Sequence, residues 1–347
     1  MKVLLLSATP PPAGGVATWT LKYMEYCKNH DIEVNLVNMA LQGKRGENIT
    51  KRINFRDECV RTINILRETR NKMKEMPDIV HLNTSCSQFG VIRDLLIVKL
   101  AARKKIPLIY HCHCDVKFML RKGYQWNILK QILKLASKEF VLNKSSEKVI
   151  CELGGKNIVV MPNFIEANLI SERKYIKDNI ETVLYVGHVT REKGCIEIIK
   201  TAEQHKDIKF ILAGPVSSEI DSLPKPANVK MTGQLPFEEI RKLYQQSDIY
   251  LFPSYSEGFS LSLTEAMASG LPVITTDVGA NYDMIEQFGG LIVETKNPKA
   301  ISDAINSLQN KTVRERMSVW NKEKIRNCYV TDKVMKTIID EYKKVAG

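Results

Sequence analysis

The chain reads as an α/β protein built from two doubly wound domains facing across a cleft. Three observations predict this. Its 347 residues exceed what one typical core organises. Short apolar runs of strand length alternate with stretches of helix length, the pattern of a parallel sheet covered on both faces. The alternation then restarts: a polar stretch from Glu166 to Ile180 separates the first series from a second beginning at Thr182. The expected domains are therefore 1–165 and 166–330, with a last helix over 331–347 returning to the first. Ligands in such folds bind at the carboxyl ends of the strands.

The elements follow in order. Val3–Leu6 is apolar and continuous and predicts a buried first strand; Ala8–Gly15 is a Pro/Gly turn, and Val16–Asn29 a helix. Strands are expected at Glu33–Val37, Ile79–Leu82, Pro107–His113, Glu139–Leu142 and Ile158–Met161. Helices are expected at Phe55–Lys74, near Gly90–Lys104, and at Gln125–Ser137. In the second half, strands are expected at Thr182–Val186, Lys209–Ala213, Val229–Thr232, Ile249–Phe252, Val273–Thr276 and Leu291–Val293. Helices are expected at Cys195–His205, Pro236–Gln246, Lys299–Gln309 and Asp332–Val345.

Hydrophobic residues make up 44% and charged residues 26%, the balance of a soluble globular protein. No apolar run approaches the roughly 20 residues needed to span a bilayer. The opening MKVLLLSATPPP suits a strand better than a signal peptide, because its apolar run is short and prolines follow at once. Eight cysteines are scattered without framework spacing and are expected as reduced thiols of a cytoplasmic protein. The formal net charge is +12. Residues 1–165 carry 27 Lys and Arg against 14 Asp and Glu, whereas the remainder carries 24 against 25. The excess therefore belongs to the first half, and a one-sided field of this kind attracts polyanions or an anionic membrane surface. Lys117–Lys138 holds six basic residues and no acidic one. Read as a helix, it sets Leu129, Ile132, Leu133 and Ala136 opposite Lys130, Lys134 and Lys138, a face suited to a membrane surface on the inner side of the cell. No nucleic-acid module or aromatic stacking motif accompanies the charge, so nucleic acid is not an expected partner.

The most informative stretch is Pro253–Thr276, PSYSEGFSLSLTEAMASGLPVITT. Glu257 lies in a polar turn and Glu265 inside an apolar helical run. Gly258 permits close backbone approach, Phe259-Ser260-Leu261 opens the helix, Gly270 can cap it in a left-handed conformation, and Pro272 blocks its continuation. A glycine beside a helix N-terminus with free N–H groups is a ready phosphate site, here with one carboxylate on the loop and another about a turn inside.

This segment closely resembles the signature of the retaining glycosyltransferases of family 4 (group 1), in which E-G-F begins and E-A-M-A-x-G-x-P-V-I completes a nucleotide-sugar site. The resemblance implies the GT-B architecture and a metal-independent hexosyl transfer without a cofactor. The donor would be a nucleotide-diphosphate sugar, a UDP-sugar in preference, and the acceptor a saccharide or lipid-linked glycan. It implies that Glu257 contacts the sugar and Glu265 holds the ribose hydroxyls, while backbone amides over Gly258, Phe259, Ser260 and Leu261 and the Lys193 ammonium stabilise the departing diphosphate. Val186–Gly194, VGHVTREKG, resembles the family loop that supplies this lysine but has His188 where arginine is usual. Three explanations are open: a protonated His188 beside the phosphate, a contribution from Arg191, or a shifted donor. Gly14-Gly15 fits neither the dinucleotide fingerprint nor the P-loop; its place implies close approach to the donor phosphate or the acceptor.

His111-Cys112-His113-Cys114-Asp115 invites a metal reading, but alternate residues of a strand point oppositely, so the two His and two Cys diverge and no metal is expected. His113, at the strand end, falls where the family has an active-site histidine. Lys209–Gly214 and Val229–Leu235 resemble the strands beside the nucleobase, and Pro162–Ile165 resembles the family's inter-domain motif with Phe164 in place of a common glycine. The alternatives on the same architecture are a nucleotide-sugar epimerase or phosphorylase, or a noncatalytic protein that binds a membrane or polysaccharide.

Overall fold

The computed structural model describes residues 1–11, 14–40, 55–87, 89–120, 123–172 and 176–346, with Phe55 described by its backbone only. Positions 12–13 of the expected first turn, 173–175 of the polar stretch, and the basic residues Arg121 and Lys122 lie outside these. The chain divides into two compact units, Met1–Asn163 with Val334–Gly347, and Phe164–Lys333.

The first unit runs β1 (Lys2–Ser7), α1 (Gly15–Asn29), β2 (Glu33–Asn38), α2 (Phe55–Lys72), a 3-10 turn at Met73–Glu75, β3 (Ile79–Thr84), α3 (Gly90–Arg103) and β4 (Leu108–Cys112). It continues with α4 (Val116–Met119), α5 (Tyr124–Leu135), β5 (Lys138–Val141), α6 (Lys144–Glu152) and β6 (Ile158–Val160). Its six strands lie parallel in the order β2-β1-β3-β4-β5-β6. β3 and β4 are buried at every position, as strands covered on both faces must be. One face carries an aliphatic cluster including Leu4, Leu6, Val80, Leu82, Leu108 and Ile132. Residues of opposite pleat, His81 and His111 among them, meet aromatic rings on the other.

The second unit opens with a 3-10 turn at Ala167–Leu169 and runs β7 (Thr182–Val186), α7 (Cys195–Ala202), β8 (Lys209–Ala213), α8 (Ser218–Asp221), β9 (Val229–Gly233), α9 (Phe237–Gln246) and β10 (Ile249–Phe252). Then come α10 (Leu261–Ala268), β11 (Val273–Thr276), α11 (Asn281–Ile285), β12 (Gly290–Val293), α12 (Pro298–Ser307) and α13 (Lys311–Cys328). Its sheet is also parallel, in the order β12-β11-β10-β7-β8-β9. The last helix, α14 (Thr331–Ala346), begins in this unit and continues into the segment that belongs to the first. Two parallel six-stranded sheets wrapped by helices place the chain in the expected α/β class. No helix among the described residues is long and apolar enough to cross a membrane.

Two expectations need correction. Lys138 does not extend the basic helical face: α5 ends at Leu135, and Lys138 starts β5 and forms an ion pair with Glu341. The sequence reading also has no helix over Lys311–Cys328, where α13 lies. The face that α13 buries is Arg314, Met317, Ser318, Asn321 and Ile325, mostly polar, so the hydrophobic period that announces a helix is missing. Those polar groups satisfy backbone acceptors. Arg314, fully buried, donates from Nε to the Leu308 carbonyl at 2.9 Å and from Nη2 to the Asp178 carbonyl at 2.7 Å. Asn321 Nδ2 lies 2.8 Å from the Leu271 carbonyl and 2.9 Å from that of Gly289. Replacing Arg314 with Met keeps apolar bulk but strips two carbonyls of their donor, and is expected to cost about 2 kcal/mol or more. Urea unfolding checks this; an unshifted midpoint would show that the carbonyls find other donors.

Candidate functional site

In the second unit β7 starts the sheet, β8 and β9 extend it one way, and β10, β11 and β12 the other. The order reverses between β7 and β10, so the loops leaving their carboxyl ends diverge around a crevice. Lys193 comes from the loop after β7 and Glu257 from the loop after β10. Tyr255 N–H donates to the Glu192 carbonyl at 2.8 Å. Gly194 takes φ 74° at the start of α7, and a Cβ there would lie 2.1 Å from the Pro253 carbonyl oxygen. The two loops can pass this closely only because residue 194 is glycine. The result is an ion pair, Lys193 Nζ to Glu257 Oε1 at 2.5 Å, whose side chains are 31% and 11% exposed. The ammonium also stands 6.0 Å from the Phe252 ring centroid.

The loop from Glu257 leads into α10 through Ser260. The Ser260 hydroxyl accepts from Leu263 N–H at 3.2 Å, and its carbonyl accepts from Thr264 N–H, also at 3.2 Å. The N–H groups of Leu261 and Ser262 belong to the first turn, which has no intrahelical acceptors. Phe259 packs edge-on against Tyr329, their centroids 5.6 Å apart, anchoring the turn. The helix closes as expected, with Gly270 at φ +76°. Behind the entrance, Ala280 N–H donates to the Gly258 carbonyl at 3.1 Å, and a Cβ on Gly279 would strike the Glu257 carbonyl at 2.2 Å.

Glu265 sits one turn inside. The Tyr244 hydroxyl lies 3.2 Å from its Oε2 and 3.0 Å from the Ser262 carbonyl. Burial, then the Glu265 charge, raises the Tyr244 phenol well above its usual range, so it remains a donor. Tyr250 places its hydroxyl 2.8 Å from Ser262 Oγ and 3.2 Å from the Val186 carbonyl, and so ties the end of β7 to α10. The sequence reading did not find these tyrosines, because each sits in an element that reads as ordinary core. Their signal is a polar tip on a buried ring. His188 is exposed, and its carbonyl accepts from the Tyr185 hydroxyl at 2.8 Å. Arg191 is engaged with Glu219 on the surface, so its guanidinium is not gathered to the Lys193–Glu257 pair.

In the first unit the reversal lies between β1 and β3. Gly14 and Gly15 stand exposed at the start of α1 on the chain leaving β1. Gly14 has φ 174°, which any residue adopts, and a Cβ on either glycine would meet nothing within 4 Å. Among the described residues, therefore, nothing in the packing requires glycine at either position.

His113 follows β4, its N–H donating to the Thr84 carbonyl at 2.7 Å. Its ring centroid is 3.9 Å from that of His111 and 5.1 Å from that of Trp19. Cys112 and Cys114 take the opposite pleat and join Cys86 in the aliphatic cluster. The histidines and cysteines thus diverge, and no group of three or more His, Cys, Asp or Glu among the described residues is arranged to hold a metal ion.

Comparison with known families decides the assignment. A family model described as Glycosyl transferases group 1 matches residues 166–325, and one described as Glycosyltransferase Family 4 matches residues 13–169. The chain belongs to the group 1 glycosyltransferases. Among its relatives is a glycosyltransferase of Bacillus subtilis named for teichuronic acid biosynthesis. It is 27% identical over 271 residues, which are 74% of this chain and 66% of that protein. The 2-deoxystreptamine N-acetyl-D-glucosaminyltransferase of Niallia circulans is 25% identical over 74% of this chain and 73% of its own length. Several other relatives are matched over only about half of their lengths, 49% in the sulfoquinovosyl transferase of Arabidopsis thaliana. Among solved structures, the sucrose-phosphate synthase of Thermosynechococcus elongatus superimposes with a TM-score of 0.78 at 17% identity, covering 99% of this chain and 98% of that one. The Anabaena protein HepE, solved with UDP-glucose, gives 0.72 at 16% identity, covering 99% and 100%. This likeness establishes the GT-B fold of the glycosyltransferase.

The histidines of the first unit carry a pH dependence. Burial pushes His81 down to about 3, aided by His113, and burial likewise takes His113 to about 3. His111 is held well below its usual range by burial and then by its two neighbours. Below the ordinary value of 6.5 the unfolded chain binds these protons and the folded chain does not. Stability is therefore full above about pH 6.5 and is lost progressively as pH falls toward about 3. A His113→Asn variant is expected to show a shallower fall in denaturant midpoint between about pH 6.5 and pH 5. Equal slopes would mean that folded His113 accepts a proton.

Proposed function

We propose that the chain is a retaining glycosyltransferase moving a hexose-type sugar from a nucleotide-diphosphate sugar to a saccharide or lipid-linked acceptor in polysaccharide or glycolipid assembly. The observation that carries this is the Lys193–Glu257 pair held beside the entrance of α10. A cation, unsatisfied helix N–H groups and an acceptor-only carboxylate within one crevice match a diphosphate joined to a polyol. UDP-sugars are the favoured donors. The HepE complex with UDP-glucose supports this through the shared fold.

In this reading the donor diphosphate takes the Lys193 ammonium and the N–H groups of the first turn of α10. Glu257, relieved of its cation, accepts from sugar hydroxyls, and Glu265, its Oε2 held by Tyr244, accepts from the ribose diol. The acceptor oxygen bonds to the anomeric carbon on the face from which the leaving group departs. The carbon–oxygen bond to phosphate breaks, its electron pair goes to the diphosphate, and the acceptor proton passes to a phosphate oxygen. Lys193 and backbone dipoles stabilise the charge that develops there, so no resident metal or cofactor enters the proposal. His113 bonds to the transferred sugar. Gly14 and Gly15, which no packing among the described residues requires, leave room for a ligand to approach the backbone.

Nucleotide release from UDP- and GDP-sugars, measured with candidate acceptors, tests the reading. Lys193→Ala and Glu257→Ala are expected to lower turnover by about 100-fold or more. Glu265→Ala is expected to weaken donor binding. A wild-type protein that binds no donor, with all three variants behaving like it, would sink the proposal.

We also infer contact with an anionic membrane surface on the cytoplasmic side. Lys117, Lys130 and Lys134 are exposed, and in the same stretch Phe118 and Tyr124 are 65% and 60% exposed. Basic residues with exposed aromatic rings form the composition of an interfacial surface. Each lysine near such a surface contributes about 1 kcal/mol. Lys130→Glu with Lys134→Glu should therefore markedly reduce sedimentation with phosphatidylserine vesicles. Undiminished sedimentation would remove α5 from the membrane surface.

A further inference from the structure

The aromatic face of the first unit's sheet contains a continuous run of polar contacts that the proposed chemistry leaves unused. The hydroxyls of Tyr23 in α1 and Tyr342 in α14 are 2.9 Å apart. Tyr342 Oη is hydrogen-bonded to His81 Nδ1. His81 Nε2 lies 3.1 Å from His111 Nδ1, joining β3 to β4. The His111 ring then stacks at a tilt on that of His113, with centroids 3.9 Å apart. Tyr23, His81, His111 and Tyr342 are all completely buried. Trp19 closes the side, its ring 5.6 Å from both His81 and His111 and 5.1 Å from His113, in each case edge-on.

A neutral imidazole has one donor nitrogen and one acceptor nitrogen. The bonds from Tyr342 through His81 to His111 must therefore all run in one direction. In one arrangement Tyr342 donates to His81 Nδ1, His81 Nε2–H donates to His111 Nδ1, and His111 carries its proton on Nε2. In the other, His111 Nδ1–H donates to His81 Nε2, His81 Nδ1–H donates to Tyr342, and His111 Nε2 is a bare acceptor. The proton position on His111 is thus coupled through His81 to the direction of the hydrogen bond made by Tyr342, a residue of the last helix. His111 Nε2 and His113 Nε2 are both buried without a hydrogen-bond partner among the described residues, and they stand at the His113 end.

We propose that Tyr342, His81 and His111 are positioning residues for His113. The hydrogen-bonded run fixes the tautomer of His111, and the ring contact passes that order to the orientation and tautomer of His113. The proposal rests on the reading above, in which His113 touches the transferred sugar. It makes the setting of that histidine depend on α14, which reaches this sheet from the end of the chain.

The test combines imidazole nitrogen NMR of the full chain, labelled at histidine, with steady-state kinetics. In the wild type, His81 and His111 are each expected to show one neutral tautomer; freely exchanging mixtures for both would overturn the proposal without any variant. Tyr342→Phe keeps the ring and removes only the hydroxyl. It is expected to change the His81, His111 and His113 nitrogen signals and to lower kcat about tenfold while the KM for the donor stays unchanged. A purely structural role would instead change stability without changing the tautomers. Tyr23→Phe leaves the Tyr342–His81 bond in place and is expected to keep the wild-type signals. Unchanged His111 and His113 signals in Tyr342→Phe would refute the coupling whatever the activity. If the wild type transfers no sugar yet the signals respond, the functional reading fails and the coupling stands.

Discussion

The second unit's site depends on one steric fact: the loops leaving β7 and β10 pass within contact at Gly194 and Pro253. A parallel sheet brings those strand ends together at its point of reversal but does not set how closely the loops approach. Gly194 sets it, by having no Cβ to strike the Pro253 carbonyl. The approach brings Lys193 to Glu257 and allows Tyr255 to bond the Glu192 carbonyl. Tyr250 then ties the end of β7 to the first turn of α10. Cation, carboxylate and helix entrance are held by backbone contacts and buried phenols rather than by the flexible lysine side chain.

The two units both build a parallel six-stranded sheet, with different strand orders and different chemistry. In the second, Lys193 and Glu257 sit on loops and pair with each other. In the first, imidazoles are built into β3 and β4, where burial denies them charge. A buried cation without a partner is costly, and neutral histidine avoids that cost while still offering a donor and an acceptor. Neutrality is what lets three rings pack within reach of one another. It also makes the unit's stability fall as pH drops below about 6.5.

Much of the architecture was legible because parallel strands write themselves as apolar runs. Ile249–Phe252 and Val273–Thr276 are buried at every position and were readable without context. The helix entrance and end were readable because Ser260, Gly270 and Pro272 each have a local conformational meaning. What escaped reading had tertiary causes. α13 turns Arg314 and Asn321 inward to serve carbonyls that only the folded chain brings near. Lys138 looked like one more lysine of a basic helix until its partner, Glu341, arrived from about two hundred residues away. The Tyr342–His81–His111 run could not be read at all, since it joins three elements remote in sequence.

The Lys193–Glu257 pair also explains how such a site can be both stable and receptive. Left alone, either charge would bear desolvation without compensation; Glu257 is only 11% exposed and needs its cation. Lys193 is the more exposed partner, at 31%, so it can turn toward an arriving anion without first being dug out of the core. In the proposed donor complex, a dianionic diphosphate would outcompete a single carboxylate for the ammonium, and the helix N–H groups would add to its advantage. The carboxylate would then lose its partner at the moment when a polyol became available to satisfy it. On that proposal, binding of the two halves of one ligand is coupled because the two residues that receive them satisfy each other beforehand.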